Sequence, residues 1–280
     1  MNIPNTAFTH GGHFHADDVF SAALLQLCNP DIAFTRGYMV PEGFDGIVFD
    51  VGGGAFDHHS TDTPVRANGI KYAAFGLLWR EFGTRLLPEK EAQRFDEHFV
   101  QAIDLDDNTG CGNLLSGAIS AFNPGWDETL NPDACFFRAV KLAREILSQK
   151  IKTTKAILRA QELVEQAMAN AEGGIIVLDK YAPWKMTVVH DKTMQFVVFP
   201  SQRGGFSAQC VPKSFADNAP RVPFPAEWAG KEGAALAEIA GIEGLSFCHA
   251  GRFLISAATR DAALAACNAA VAACGAAMQA

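Results

Sequence analysis

Two short apolar runs near the N-terminus each stop at a residue type that binds divalent cations. Ala7-Phe8-Thr9 runs into His10, and Gly46-Ile47-Val48-Phe49 ends on Asp50. Runs this short and this apolar suit strands buried on both faces. Between them, Val19, Phe20, Ala23, Leu24 and Leu27 have helical spacing, with Asp17 and Asp18 at the end where the helix dipole favours carboxylates. Ile32-Ala33-Phe34-Thr35-Arg36 is a further strand candidate. Strands alternating with helices predict an α/β fold with a parallel sheet, whose ligands gather at the carboxyl ends of the strands. His10-Gly11-Gly12-His13-Phe14-His15-Ala16-Asp17-Asp18, Asp50 and Asp57-His58-His59 are all expected at that edge.

Five of the eight histidines fall within the first 59 residues, interleaved with aspartates. Imidazole and carboxylate together form the ligand set of a hydrolytic divalent metal such as manganese or zinc. None of the seven cysteines is spaced as CxxC, and an odd number fits a disulfide framework poorly. Small buried thiols are the expectation.

A net charge of −8 argues against a protein that coats nucleic acid with a broad basic surface. It leaves a nuclease open, because bound cations offset the carboxylates of a metal site. No apolar run reaches the ~20 residues of a membrane helix, and residues 1–9 carry no secretory pattern, so a cytoplasmic location is expected.

Helical patterns continue over Tyr72 to Phe82 and Glu89 to Ile103, and a break follows at Pro124, Gly125, Asn131 and Pro132. A long helix is predicted from about Ala134 to Glu172. Its lysines and arginines read as a solvated face, or as a basic stripe facing a polyanion. After Gly173-Gly174, strands are predicted over 175–179, 186–190, 196–200, 206–212, 245–248 and 253–256, and an alanine-rich helix over 261–280. The expected organisation is a catalytic domain over 1–130, a connecting helix over 131–172 and a smaller α+β substrate-binding domain over 173–280. The last helix packs either in the core or at a homodimer interface.

His10 and His15 bracket a glycine-containing loop with Asp17 two residues on, so a curled loop brings all three to one point. His13 is a less natural ligand, since its neighbours fill the ligand directions. Asp50 ends an apolar strand, where a carboxylate is costly unless paired or bound to metal. It ligates, with a bridging position attractive, or it caps the Gly52-Gly53-Gly54 turn. Asp57 suits the role of orienting an imidazole through its far nitrogen. Of His58 and His59, one would ligate while the other faces a substrate phosphate. Asp104 and Asp107 lie three apart, on one helical face; one of them closes the metal site, or they belong to an exposed acidic turn. Such a set suits two metals that activate a water and neutralise the attacking and leaving oxygens of a phosphoryl displacement.

These segments resemble the DHH phosphoesterase superfamily, and more closely its Myg (melanocyte proliferating gene) family. The resemblance rests on residues 9–18, Asp50-Val51-Gly52-Gly53, Phe56-Asp57-His58-His59, and Ala102-Ile103-Asp104 with Asp107-Asn108. It continues through Tyr181-Ala182-Pro183-Trp184, Phe196 to Pro200, Phe224 to Gly230, Gly241 to Gly244 and Phe247-Cys248-His249-Ala250.

The resemblance implies a DHH-type catalytic domain, a linking helix, and a second domain presenting substrate-binding groups. It implies metal-dependent hydrolysis and 3′–5′ exonuclease action on RNA or short oligonucleotides, with two manganese ions. By motif position, His10 and His15 resemble ligands of the first metal and Asp50 the bridging carboxylate. Asp17, His58 and Asp107 or Asp104 resemble the second set. His59 would lie beside the scissile phosphate, with Asp57, His58 and His59 the catalytic triplet. His249 resembles a substrate contact, and Arg252 is a nearby candidate for holding phosphate. Two departures stand out: His13 replaces a small or hydroxyl residue, and residues 251–256 replace a more glycine-rich stretch. The rival readings are a hydrolase of a small phosphorylated metabolite, such as a dinucleotide or polyphosphate, and a non-catalytic metal-binding protein.

Overall fold

A computed structural model describes residues 3–277. The chain divides into two compact units, Met1–Thr154 and Lys155–Ala280.

In the first unit, β1 (Thr6–His10), α1 (Ala16–Cys28), β2 (Ala33–Gly37) and β3 (Ile47–Val48) alternate as expected. The strands form a parallel sheet in the order β2-β1-β3. β3 is shorter than the apolar run predicts. The Phe49 N–H still donates to the Phe8 carbonyl at 3.1 Å, but the Asp50 N–H turns away to the carbonyl of Phe56. Asp50 adopts φ 57°, in the left-handed region that side chains other than glycine rarely occupy, and this ends the strand.

Helices α2 (Ala74–Phe82), α3 (Glu89–Phe95), α4 (Gln101–Thr109) and α5 (Leu114–Ser120) complete the unit together with the first part of α6 (Pro132–Ala169). The single helix predicted over 89–103 is broken at Asp96–Val100 by one wider π turn. The core is aromatic. Phe20 is fully buried, with its ring centroid 5.5 Å from both Phe75 and Phe99. Each such burial stabilises the unit by ~1.5–3 kcal/mol.

The second unit holds β4 (Ile175–Val177), α7 (Lys185–Val188), β5 (Phe196–Pro200), β6 (Phe206–Cys210), α8 (Gly233–Ala240), β7 (Leu245–Cys248), β8 (Leu254–Ala257) and α9 (Arg260–Ala277). Its sheet runs β4-β5-β6-β8-β7, parallel between β4 and β5 and antiparallel elsewhere. The expected strand at 186–190 is instead the single helical turn α7. The turn satisfies its own backbone, with the Val188 and Val189 N–H groups donating to the carbonyls of Trp184 and Lys185 at 3.0 and 3.1 Å, and the Arg221 guanidinium takes the carbonyls of Val189 and Met194 after it, at 2.6 and 2.8 Å. α9 buries Ala263, Ala266, Cys267 and Ala270 in the core of this unit. The end of the predicted tail, 278–280, lies outside the described residues. Among the described residues, no helix is long and apolar enough to cross a membrane.

Candidate metal centre

β1 delivers His10 to the carboxyl edge of the parallel sheet, and the loop after it is pinned from both sides. The Gly11 N–H extends the ladder by one bond, to the Gly37 carbonyl at 2.9 Å. A Cβ on Gly11 would sit 3.3 Å from Gly37 Cα, so this close approach favours glycine. Gly12 reverses the chain at φ 78°. Asn123 then clamps Phe14, accepting its N–H at 3.0 Å and donating to its carbonyl at 2.8 Å. The backbone of His15 starts α1, and Asp18 caps it by accepting the His15 N–H at 3.0 Å. This places Asp17 and Asp18 in the first turn of α1, both fully buried.

These carboxylates converge with the other strand ends. His10 Nε2 lies 3.0 Å from Asp18 Oδ2 and 3.2 Å from Asp50 Oδ2. His58 Nε2 lies 3.0 Å from Asp50 Oδ1, 3.3 Å from Asp107 Oδ2 and 3.6 Å from Asp17 Oδ2. The two oxygens of Asp50 therefore face two different imidazoles. His10 Nδ1 is 3.1 Å from the Gly11 carbonyl, a contact that directs Nε2 toward the carboxylates. Three groups have ligand atoms within 4.8 Å of one another: His10, Asp18 and Asp50; His15, Asp17 and Asp107; and Asp50, His58 and His59.

The electrostatics are those of crowded negative charge. Burial and the neighbouring carboxylates Asp50, Asp107 and Asp18 push the Asp17 carboxyl well above its usual range. Burial also raises Asp18. For Asp50, burial pushes upward, but the His10 and His58 imidazoles hold the carboxyl down at about 2. His10 rises to about 10, because Asp18 and Asp50 outweigh its burial. His58 is raised by Asp50 and Asp107 against the same penalty. Both oxygens of Asp17 are buried without a hydrogen-bond partner among the described residues. Orphaned buried carboxylate oxygens are costly, and the donor set around them is the one that hard or borderline divalent cations take. The residues fit such ions.

Asp57 stands apart from the ligand groups. It accepts the backbone N–H groups of Gly53 and His59 at 2.6 and 3.1 Å, and it lies 2.6 Å from His59 Nδ1. His59 keeps 64% of its side chain exposed. His13 lines the same cavity without joining any of the three groups.

The structure does not bring Asp104 to the cluster. Its carboxylate accepts the Gly76 N–H at 3.0 Å and pairs with Arg66 Nη2 at 2.8 Å. His249 and Arg252 belong to the second unit, on the turn between β7 and β8. There His249 Nδ1 accepts the Gly251 N–H at 2.9 Å, and Arg252 takes φ 56°.

Two residues escaped the sequence reasoning. Asp18 read as a helix-start carboxylate, although it reaches His10. Lys71 is the one lysine or arginine among the described residues lining the cluster's cavity of about 750 Å³. Its backbone carbonyl accepts from Asn108 Nδ2 at 3.3 Å, next to Asp107. A lone lysine far away in sequence carries no motif that would have flagged it.

A family model named MYG1_exonuc, described as Uncharacterised protein family (UPF0160), matches residues 6–271. The mouse protein named MYG1 exonuclease is 31% identical over 94% of this chain and 84% of its own length. Its human counterpart is 30% identical over 94% and 85%. The Chlamydia pneumoniae MYG1 protein is 30% identical over 91% and 92%. No solved structure matches the chain. A match over this much of both chains makes this chain a member of the MYG1 exonuclease family.

Proposed function

We propose that the protein is a metal-dependent exonuclease that shortens RNA or short oligonucleotides from the 3′ end. The observation that carries this reading is the fully buried Asp17, whose unpartnered oxygens lie among His58, Asp107 and Asp50. The names of the relatives support a nuclease. Two divalent ions, manganese in our reading, would be held by His10, Asp18 and Asp50 and by His15, Asp17, His58 and Asp107. Bound there, they would supply charge neutralisation and an activated water.

The chain's own residues do the rest. Asp50, with one oxygen toward each imidazole, is the residue suited to serve both ions. Asp57 fixes the ring of His59, which lines the cavity and, as an imidazolium, would donate from its far nitrogen to a phosphate oxygen. Lys71 gives the acidic cavity a fixed positive charge for the phosphodiester. In the second unit, His249 and Arg252 are the groups we assign to holding substrate, within the domain arrangement and DHH-type fold the sequence implies.

The test is hydrolysis of a labelled short RNA, a matched DNA and a dinucleotide, with and without manganese, beside His58→Ala. Stepwise shortening of RNA that needs both manganese and His58 supports the proposal. RNA shortening that needs neither manganese nor His58 overturns it. Cleavage of the dinucleotide alone would favour the second reading, a hydrolase of small phosphorylated metabolites. The presence of a single lysine lining the cavity favours that reading, since a short ligand needs few basic contacts.

A further inference from the structure

We propose that the second unit carries a base-stacking groove, which takes an unpaired nucleobase of a single-stranded nucleic-acid substrate. The inference rests on the nuclease reading above and adds a binding site remote in sequence from the metal cluster.

Tyr181-Ala182-Pro183-Trp184 has no role in the metal chemistry. The fold brings Tyr181 and Trp184 to a cavity of about 540 Å³ together with Phe215 and Phe253. Tyr181 is 54% exposed and Phe215 43%, a costly way to spend large apolar side chains unless something covers them. Three of the rings each meet a ring that does not line the groove. Phe199 meets Tyr181 at 5.2 Å, edge to face. His190 lies 5.5 Å from Phe215, and His249 lies 4.2 Å from Phe253. Rings held in this way are platforms with little entropy left to lose on stacking.

The polar groups point to a base rather than to a purely apolar guest. Gln209 also lines the groove, and its carboxamide makes no hydrogen bond among the described residues. It offers both a donor and an acceptor to a base edge. Asn218 accepts from Lys185 Nζ at 2.7 Å, which leaves its amide donors free. Because Lys185 bonds a neutral amide and not a carboxylate, its charge remains available to a neighbouring phosphate. The groove is also continuous with the candidate substrate turn. The Cys210 N–H donates to the Phe253 carbonyl at 2.8 Å, and Cys210 Sγ lies 3.5 Å from the Arg252 carbonyl. Aromatic faces, base-edge amides and an unneutralised lysine together are the equipment of single-strand recognition.

The experiment titrates the full chain into a phosphorothioate-linked single-stranded oligoribonucleotide that resists cleavage and carries 2-aminopurine. Binding should quench the fluorescence as the base stacks. Tyr181→Ala and Phe215→Ala should each weaken binding about tenfold and reduce the quenching, whereas Tyr181→Phe, which keeps the ring, should retain both. Wild-type binding without any quenching overturns the groove, whatever the variants do. Wild type that cleaves RNA while both alanine variants bind it undiminished overturns the groove and spares the nuclease reading. Wild type that neither binds nor cleaves RNA overturns both. A proline-rich peptide that fills the groove without displacing RNA assigns it to another partner and overturns the proposal.

Discussion

Arg36 donates through Nη2 to the carbonyl of Gly12 at 3.1 Å, and through Nη1 it reaches Asp133 at 2.8 Å. Its guanidinium also lies 4.2 Å from the centre of the Phe136 ring. One buried side chain on β2 thus ties the His-rich loop to the start of α6. Arg36→Met removes the tie and replaces none of the candidate ligands, although it also removes a positive charge that acts on Asp18. We expect manganese affinity, read by titration calorimetry, to fall about tenfold, as it does when groups supporting a ligand are lost. Unchanged affinity would show that the loop holds its shape without Arg36.

Asp17 carries opposite consequences for the two states of the site. In the metal-free protein its charge is crowded by Asp50, Asp107 and Asp18. Asp17→Asn should raise the melting temperature of the metal-free protein, by roughly 2–4 °C if the relief is about 1 kcal/mol. The same change should abolish most of the stabilisation that manganese confers. A variant that still gains full stability from manganese would remove Asp17 from the ligand set.

Gly76 is required by its neighbours rather than by its backbone angles. A Cβ there would land on the Asp104 carboxylate and 2.6 Å from Arg66 Nη2. Gly76→Ala must therefore open a buried ion pair, and we expect a loss of ~3 kcal/mol or more in urea unfolding. A loss below about 1 kcal/mol would mean that the pair shifts without cost.

Asp104 gives the protein a pH signature. Burial lifts its carboxyl from 3.8 to about 7, by more than the neighbouring Arg66, which pulls it down, can offset. A raised folded-state value means that the folded protein keeps a proton the unfolded chain has released. The resulting stability is complete below about pH 4 and is lost as pH rises through about 7. Asp104→Asn, which still accepts the Gly76 N–H, should flatten that decline. Urea midpoints of both proteins at pH 5 and pH 8 test it, and parallel declines would refute the assignment.

Lys71→Met tests the cavity's single lysine. Loss of one charge-assisted contact should raise KM for RNA at least tenfold while manganese binding stays intact. Equal KM values for variant and wild type would return Lys71 to an ordinary surface role.

Much of this was legible in the sequence because it is local. Short apolar runs and helical spacing specify β1, α1, β2 and β5 with neighbours a few residues away. Histidine and aspartate at the ends of those runs pointed to a divalent-metal site, and the structure gathers them into candidate ligand groups. The choice between Asp104 and Asp107 is of another kind. Both lie on α4, and spacing treats them alike. Arg66 and Gly76, about thirty positions away, take Asp104 and leave Asp107 beside His58. Asp18 reaches His10 only because the Gly12 turn folds the loop back over the start of α1. Residues 185–188 form a helical turn closed by its own backbone, and Arg221, far away in sequence, takes the Val189 carbonyl that follows it. Propensity and periodicity, which act within a few residues, determined the elements and the chemical character of the site. Which carboxylates assemble, and which aromatics meet in the second unit, was decided by long-range packing and by the need of buried polar groups for partners.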